Sequence, residues 1–267
     1  MRPDQAAADV AVIGGSGFYS FLDDPREIVV ETPYGEPSAP ISVGVVAGRS
    51  VAFVPRHGAG HRFPPHAINY RANAWALRSL GVRQVVAPCA VGGLRSEVAP
   101  GDVVVPDQLV DRTQRRVQSF VESGAVHLPF ADPYCGRLRH AVLAAGPSLV
   151  DGGTMVVIEG PRFSTRAESA HYAAQGWTLI NMTGHPEAVL AREMRQCYAA
   201  IAVVTDMDAG AEEGEGVGQE EVFARFAANL DRLRGLLTDV IATLPDPDGC
   251  SCSTWADGLE LTYDIPG

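Results

Sequence analysis

Residues 198–205, Tyr-Ala-Ala-Ile-Ala-Val-Val-Thr, form an unbroken apolar run that leads into two acids, Asp206 and Asp208. A run this short and this apolar reads as a buried strand. Acids at the carboxyl end of such a strand suit the crevice where open α/β sheets bind ligands. In partly dry surroundings a carboxyl can carry a raised pKa and hold or deliver a proton near neutral pH. The plainer alternative is an acidic strand end or helix cap.

That strand closes a βαβ rhythm, so an α/β fold class is expected. Thr154–Ile158 and Thr178–Asn181 read as strands. Thr165-x-x-Glu168 is a capping box opening a helix toward Gln175, and a helix is expected from Pro186 to Arg195. Upstream, Val10–Ile13 is a first strand that ends in Gly14-Gly15-Ser16-Gly17. Ser20 breaks the spacing of a dinucleotide fingerprint, which argues against a dinucleotide-dependent oxidoreductase. Strands are expected at Ile28–Thr32, Ile41–Val46 and Ser50–Pro55. Ile68, Ala72, Trp75 and Ala76 share one face of a helix ending near Gly81. Gln84–Pro88 and Asp102–Val105 are further strands, with Gly92-Gly93 turning between them. Residues 112–132 form an excursion suited to contact with another subunit, and a helix follows around Gly136–Ala145. Val222, Phe226, Leu230, Leu233, Leu237 and Val240 recur as one long core helix without chemistry. The acidic stretch Glu212–Gly218 before it is a linker or a lid. With no internal repeat or composition break, one domain spanning 1–267 is expected, with peripheral tails at 1–9 and 246–267.

A formal charge of −11 argues against nucleic-acid binding, and no stretch has the roughly twenty apolar residues of a membrane span. The N-terminus lacks the apolar core of a signal peptide, so a cytoplasmic location is expected. The five cysteines give no secreted disulfide framework. Cys89, Cys135 and Cys197 read as reduced packing residues. Cys250-Ser-Cys252 can oxidise or bind metal, but no second Cys/His pair stands at zinc-site spacing, so no metal is expected.

Three segments could build an anion site. Gly14-Gly15-Ser16-Gly17 offers backbone N–H groups and a hydroxyl. Arg56-His57 offers a guanidinium able to grip two phosphate oxygens, with an imidazole beside it. Thr183 offers a hydroxyl beside a helix N-terminus. Each has an ordinary reading, as turn, solvated pair and cap. Combined with the acids at 206 and 208, they suit a reaction between an anion and a basic heterocycle. A purine leaves a sugar most easily once N7 is protonated, and a nearby phosphate is a ready nucleophile for the oxocarbenium-like sugar.

The chain resembles the 5′-methylthioadenosine phosphorylases of the purine nucleoside phosphorylase family across residues 10–245. The motifs are Ile13-Gly-Gly-Ser-Gly17, Arg56-His57-Gly58, Asn69-Tyr-Arg-Ala-Asn73, Pro100-Gly-Asp-Val103 and His127-Leu-Pro-Phe130. Ile158-Glu-Gly-Pro-Arg-Phe-Ser164, Ile180-Asn-Met-Thr183 and Thr205-Asp-Met-Asp208 complete the set. The resemblance implies one α/β domain around a mixed, partly barrel-like sheet. It implies phosphate as co-substrate, without a cofactor, held by Ser16, Arg56, His57 and Thr183 with the Cys89-Ala90 backbone. It places Met182 against the ribose, Phe163 and Ser164 around the base, Asp206 at N7 and Asp208 at a 6-amino group. It sends His127 into a neighbouring subunit's 5′ pocket, within a homotrimer. Cys89 stands where the family usually has threonine. Gln219 stands where methylthioadenosine enzymes tend to place an apolar side chain, so the 5′ substituent stays open between methylthio and others. A water-using nucleosidase and a non-enzymatic nucleoside-binding module are the competing readings.

Overall fold

The computed structural model describes residues 7–15, 18, 21–210 and 217–267. The strands in chain order are β1 (Val10–Gly14), β2 (Asp23–Ile28), β3 (Ile41–Val46), β4 (Arg49–Pro55), β5 (Gln84–Gly93) and β6 (Val103–Val105). They continue as β7 (Gln108–Arg112), β8 (Val150–Asp151), β9 (Thr154–Ile158), β10 (Leu179–Asn181) and β11 (Cys197–Asp206). The helices are α1 (Tyr70–Ser79), α2 (Gly136–Ala145), α3 (Arg166–Ala174), α4 (Gly184–Glu193), α5 (Gln219–Ala228), α6 (Leu230–Thr243) and α7 (Ser251–Thr254).

The strands form one mixed sheet in which β5 is the hub. It pairs in parallel with β1 and with β11, and its end, Gly92–Gly93, pairs antiparallel with β10. β1 also runs parallel to β4, with Gly14 opposite Pro55. The carboxyl ends of β1, β4, β5 and β11 therefore gather at one place. Along β11, Ala200, Ala202 and Val204 join one apolar cluster while Ala199, Ile201 and Val203 join another. Alternate side chains of a strand point to opposite faces, so both faces of this sheet are covered here. The first cluster includes α1 and α4 residues, and the second includes α2 and α6 residues. Burial on both faces explains why the run is continuous rather than alternating.

Several boundaries differ from expectation. The second strand is Asp23–Ile28, earlier and more polar than Ile28–Thr32. It lies at the sheet's edge, with a register shift between Asp23 and Arg26, where charge and Pro25 are tolerated. Gly92-Gly93 does not turn the chain but extends β5. A Cβ on Gly92 would stand 2.9 Å from Ile180 Cγ2 and 3.0 Å from Asp206 Oδ1, so the site has no room for one. The long terminal helix is two, broken at Asn229, whose side-chain amide donates to the Arg225 carbonyl at 2.9 Å. Because only one residue intervenes, the helical spacing survives the break. The Thr165–Glu168 capping box is present in both of its bonds.

The excursion after β7 carries no helix or strand as far as α2. Arg116 pins it to the body, donating to the carbonyls of His185, Ile158 and Glu159 and to the Tyr70 hydroxyl. Residues 246–267, expected at the periphery, reach into the body at several places. Cys250 and Cys252 are buried, and Tyr263 donates its hydroxyl proton to the Glu193 carbonyl at 2.9 Å. No described helix is long and apolar enough to cross a membrane.

Candidate active site

The gathered strand ends open into a cavity of about 970 Å³. Arg56, His57, Cys89, Ala90 and Thr183 line it, and so do Asp206 and Asp208. Phe163, Ser164, Met182 and Gln219 complete the predicted residues that it brings together. Two predicted residues are not among the described residues that line it. Ser16 lies outside the described residues, as does most of the acidic stretch before α5. His127 is exposed on the excursion and is not among the residues lining this chain's own cavity.

Arg56 follows β4 directly and is 3% exposed. Its Nε donates to Glu187 Oε1 at 2.5 Å, and Nη2 donates to Glu187 Oε2 at 3.1 Å and to the Ile13 carbonyl at 2.9 Å. Nη1 donates to the Pro88 carbonyl at 3.2 Å. Burial alone would favour the neutral guanidine; the charge and hydrogen bonds of Glu187 overcome it and hold the cation. With four N–H groups engaged in these bonds and five on the group, a two-pronged grip on phosphate is not available in this arrangement. Arg56 offers one donor and a positive centre. Glu187, which sequence reasoning missed, sits inside α4 and has the pattern of an ordinary helical residue.

His57 is held at Nδ1, 2.9 Å from the Phe63 carbonyl. A carbonyl only accepts, so Nδ1 carries the proton and Nε2 presents a lone pair. Burial depresses its pKa to about 4, against the pull of that carbonyl and with help from Arg56 and His61. At neutral pH it is an uncharged acceptor, suited to the P–OH of a monohydrogen phosphate. Cys89 remains a neutral thiol, its pKa pushed up to about 12 by burial despite Arg56. Asn181, also missed, accepts from the Thr183 and Gly184 amides at 2.7 Å each and donates to the Ala90 carbonyl at 2.9 Å. It thus ties the start of α4 to β5. It also occupies two of the N–H groups that a bare helix N-terminus would offer an anion.

Across the cavity, the register between β11 and β5 shifts between Val204 and Asp206, so that Asp206 faces Gly92. Such a bulge re-aims a side chain. Asp206 accepts from the Thr205 hydroxyl at 2.8 Å and from the Asp208 amide at 2.9 Å. Burial raises its pKa; these two bonds oppose the shift, while the charges of Asp208 and Glu221 add to it. Asp208 Oδ2 and Ser164 Oγ are buried with no hydrogen-bond partner among the described residues. Orphaned polar atoms facing a cavity are what a hydrogen-bonding ligand would satisfy.

The helical spacing predicts α5 as part of a core helix without chemistry. Instead, Val222, Phe223 and Phe226 line the cavity together with Gln219. Phe226 also packs against the core cluster that holds the α6 residues, and Leu230, the first residue of α6, lines the cavity too, so the two roles overlap across the break at Asn229.

Residues 9–242 match the family profile described as the phosphorylase superfamily. The chain belongs to that family. It is 56% identical to the S-methyl-5′-thioadenosine phosphorylase of Mycolicibacterium smegmatis, over 96% of this chain and 99% of the relative. It is 55% identical to a purine nucleoside phosphorylase of Streptomyces coelicolor, over 98% of this chain and 99% of the relative. Among solved structures, the methylthioadenosine phosphorylase of Schistosoma mansoni in complex with adenine superposes with a TM-score of 0.85. That chain is 37% identical, with 88% of this chain and 91% of the other covered. The mixed sheet flanked by helices is thus the phosphorylase fold, on a single α/β body.

Proposed function

We propose that this phosphorylase cleaves a 6-aminopurine nucleoside, S-methyl-5′-thioadenosine first among them, with inorganic phosphate. The products are adenine and 5-methylthioribose 1-phosphate. The observation that carries the proposal is the unpartnered Asp208 Oδ2 in the same cavity as the Arg56 cation. One end of the site lacks a donor such as an exocyclic amino group, and the other holds the Arg56 guanidinium, paired with Glu187 and with one N–H left to donate. The adenine complex of the Schistosoma mansoni relative supports the base assignment.

Phosphate would sit by Arg56, His57, Thr183 and the Cys89-Ala90 backbone, with Ser16 as a further contact. Met182 would lie against the ribose, and Phe163 and Ser164 beside the base. Protonated Asp206 gives its proton to N7 as the C1′–N9 bond breaks and its electron pair moves into the purine. A phosphate oxygen then bonds to C1′, and its charge stabilises the oxocarbenium-like sugar on the way. No cofactor enters this chemistry. The exposed His127, together with Val117 at 57% exposure on the same excursion, supports an intersubunit contact in a homotrimer.

Val222, Phe223 and Phe226 give the cavity an apolar face suited to a methylthio group. Gln219 on the same helix favours a second reading, a broader purine nucleoside phosphorylase that also accepts a 5′-hydroxyl. A screen of methylthioadenosine, adenosine, methylthioinosine and inosine, each with and without phosphate, tests both. Phosphate-dependent turnover with methylthioadenosine leading is expected. Full turnover without phosphate would make the protein a nucleosidase and end the proposal.

A further inference from the structure

At the far end of β11 from Asp206, four sulfurs converge. Cys135 stands immediately before α2 and Cys197 opens β11, while Cys250 precedes α7 and Cys252 lies within it. Their Sγ atoms all lie within 4.8 Å of one another, and Cys135 and Cys250 are 3.6 Å apart. All four residues are buried, at 2–4% exposure. In sequence, Cys250-Ser-Cys252 has no second pair at zinc-site spacing; the fold supplies one from residues far away in the chain.

We infer that Cys135, Cys197, Cys250 and Cys252 form a tetrathiolate site for a structural zinc ion. A tetrahedral zinc with bonds of about 2.3 Å sets its sulfurs about 3.8 Å apart, close to the spacing already present. Four sulfur ligands and no imidazole or carboxylate in the cluster select a soft, tetrahedral cation. Binding one divalent ion displaces four thiol protons to solvent and leaves a net charge of 2−. The surroundings suit that charge. Arg192 is 8% exposed, is held by the Pro129 and Asp132 carbonyls at 3.2 and 2.8 Å, and lines the same cavity as Cys135, Cys250 and Cys252. The Trp255 indole donates to the Arg192 carbonyl at 2.8 Å and so anchors the end of α7 there. A neutral disulfide would draw nothing from a buried guanidinium. A cavity of about 730 Å³ lined by Cys135, Cys250, Cys252 and Arg192 gives the ion an approach.

The ion would join the C-terminal segment to the starts of β11 and α2. Cys197 and Asp206 are the two ends of a ten-residue strand, about 30 Å apart at strand rise. The site is therefore separate from the phosphorylase chemistry and does not depend on its assignment.

The test is metal analysis of the full-length protein, purified under inert gas with a reductant and no added metal. About one zinc per chain is expected by elemental mass spectrometry. After chelation, cobalt(II) should restore the thiolate-to-metal charge-transfer absorption of a tetrahedral tetrathiolate. Cys252→Ser and Cys135→Ser should each lose most of the bound zinc. If those variants do not fold, stoichiometry and the cobalt spectrum of the unaltered chain decide alone. A metal-free protein whose four thiols all alkylate would overturn the inference. So would an intact mass short by the hydrogens of one or two disulfides.

Discussion

Replacing Glu187 with glutamine separates the two ways Arg56 can be neutralised. The side chains of Arg56 and Glu187 are 4% and 5% exposed, so water screens neither. Removing one partner of a buried pair leaves the other charge stranded, at a cost of about 3–5 kcal/mol. Tyr198, whose hydroxyl donates to Glu187 Oε2 at 2.9 Å, competes with Arg56 for the one oxygen that glutamine keeps. The expected loss in phosphate-free buffer is therefore about 3–5 kcal/mol of unfolding free energy. Phosphate brings its own negative charge to the Arg56 end of the cavity. It should therefore raise the urea midpoint of Glu187→Gln by more than it raises that of the unaltered protein. Urea titrations with and without saturating phosphate, at one protein concentration, measure both quantities. A variant as stable as the parent without phosphate would refute the claim that Glu187 holds the cation. Equal phosphate shifts in the two proteins would refute the claim that phosphate takes its place.

Asp208→Asn removes an obligate acceptor and adds a donor, so preference should move from 6-aminopurine toward 6-oxopurine nucleosides. Losing a matched buried hydrogen bond costs about 1–3 kcal/mol, roughly 5- to 150-fold in kcat/KM for methylthioadenosine, which paired assays with methylthioinosine would read. Asp206 has a folded-state pKa above its unfolded one, so its contribution to stability is full below the unfolded value and is lost as pH rises through the folded value. Asp206→Asn should therefore unfold at higher temperature than the parent near neutral pH, with the gap closing in acid, while turnover falls; a gap that is constant with pH would count against the raised pKa. In the parent, activity should fall as pH climbs and Asp206 loses its proton, and this limb should be absent from the residual rate of the asparagine variant. Gly92→Ala places a methyl 2.9 Å from Ile180 Cγ2 and 3.0 Å from Asp206 Oδ1. Overpacking of this kind costs about 1–3 kcal/mol, and kcat should fall more than the melting temperature implies because the acid itself is displaced; unchanged kcat would refute the crowding.

The polar residues at strand ends were legible because an apolar run that stops on charge is conspicuous. Asp206, Asp208, Arg56 and His57 all announce themselves in this way. Glu187 did not, since its meaning comes from an arginine 131 residues away. Asn181 looked like the end of a strand, and only the fold shows it bonding to both Ala90 and the start of α4. Gly92 suggested a turn because glycine pairs usually make one, whereas here it clears space for Asp206. The sequence places α5 in the core because a helix lining an apolar cavity and a helix lining a core share one periodicity. The cysteines show the same limit: spacing rules describe ligands on neighbouring turns, and these four come from three elements that meet only in the folded chain.

β5 has one further implication, for how such an enzyme could change what it accepts. Cys89 and Gly92 stand on one strand, laced by backbone bonds to β1, β10 and β11. The gap between the proposed anion seat and the proposed base seat is thereby a fixed ruler, set by the rise of three residues, about 10 Å. Nucleosides that differ at the sugar's far end never test that ruler. Adaptation to them falls to α5, which stands outside the sheet and can exchange side chains without moving either reacting partner.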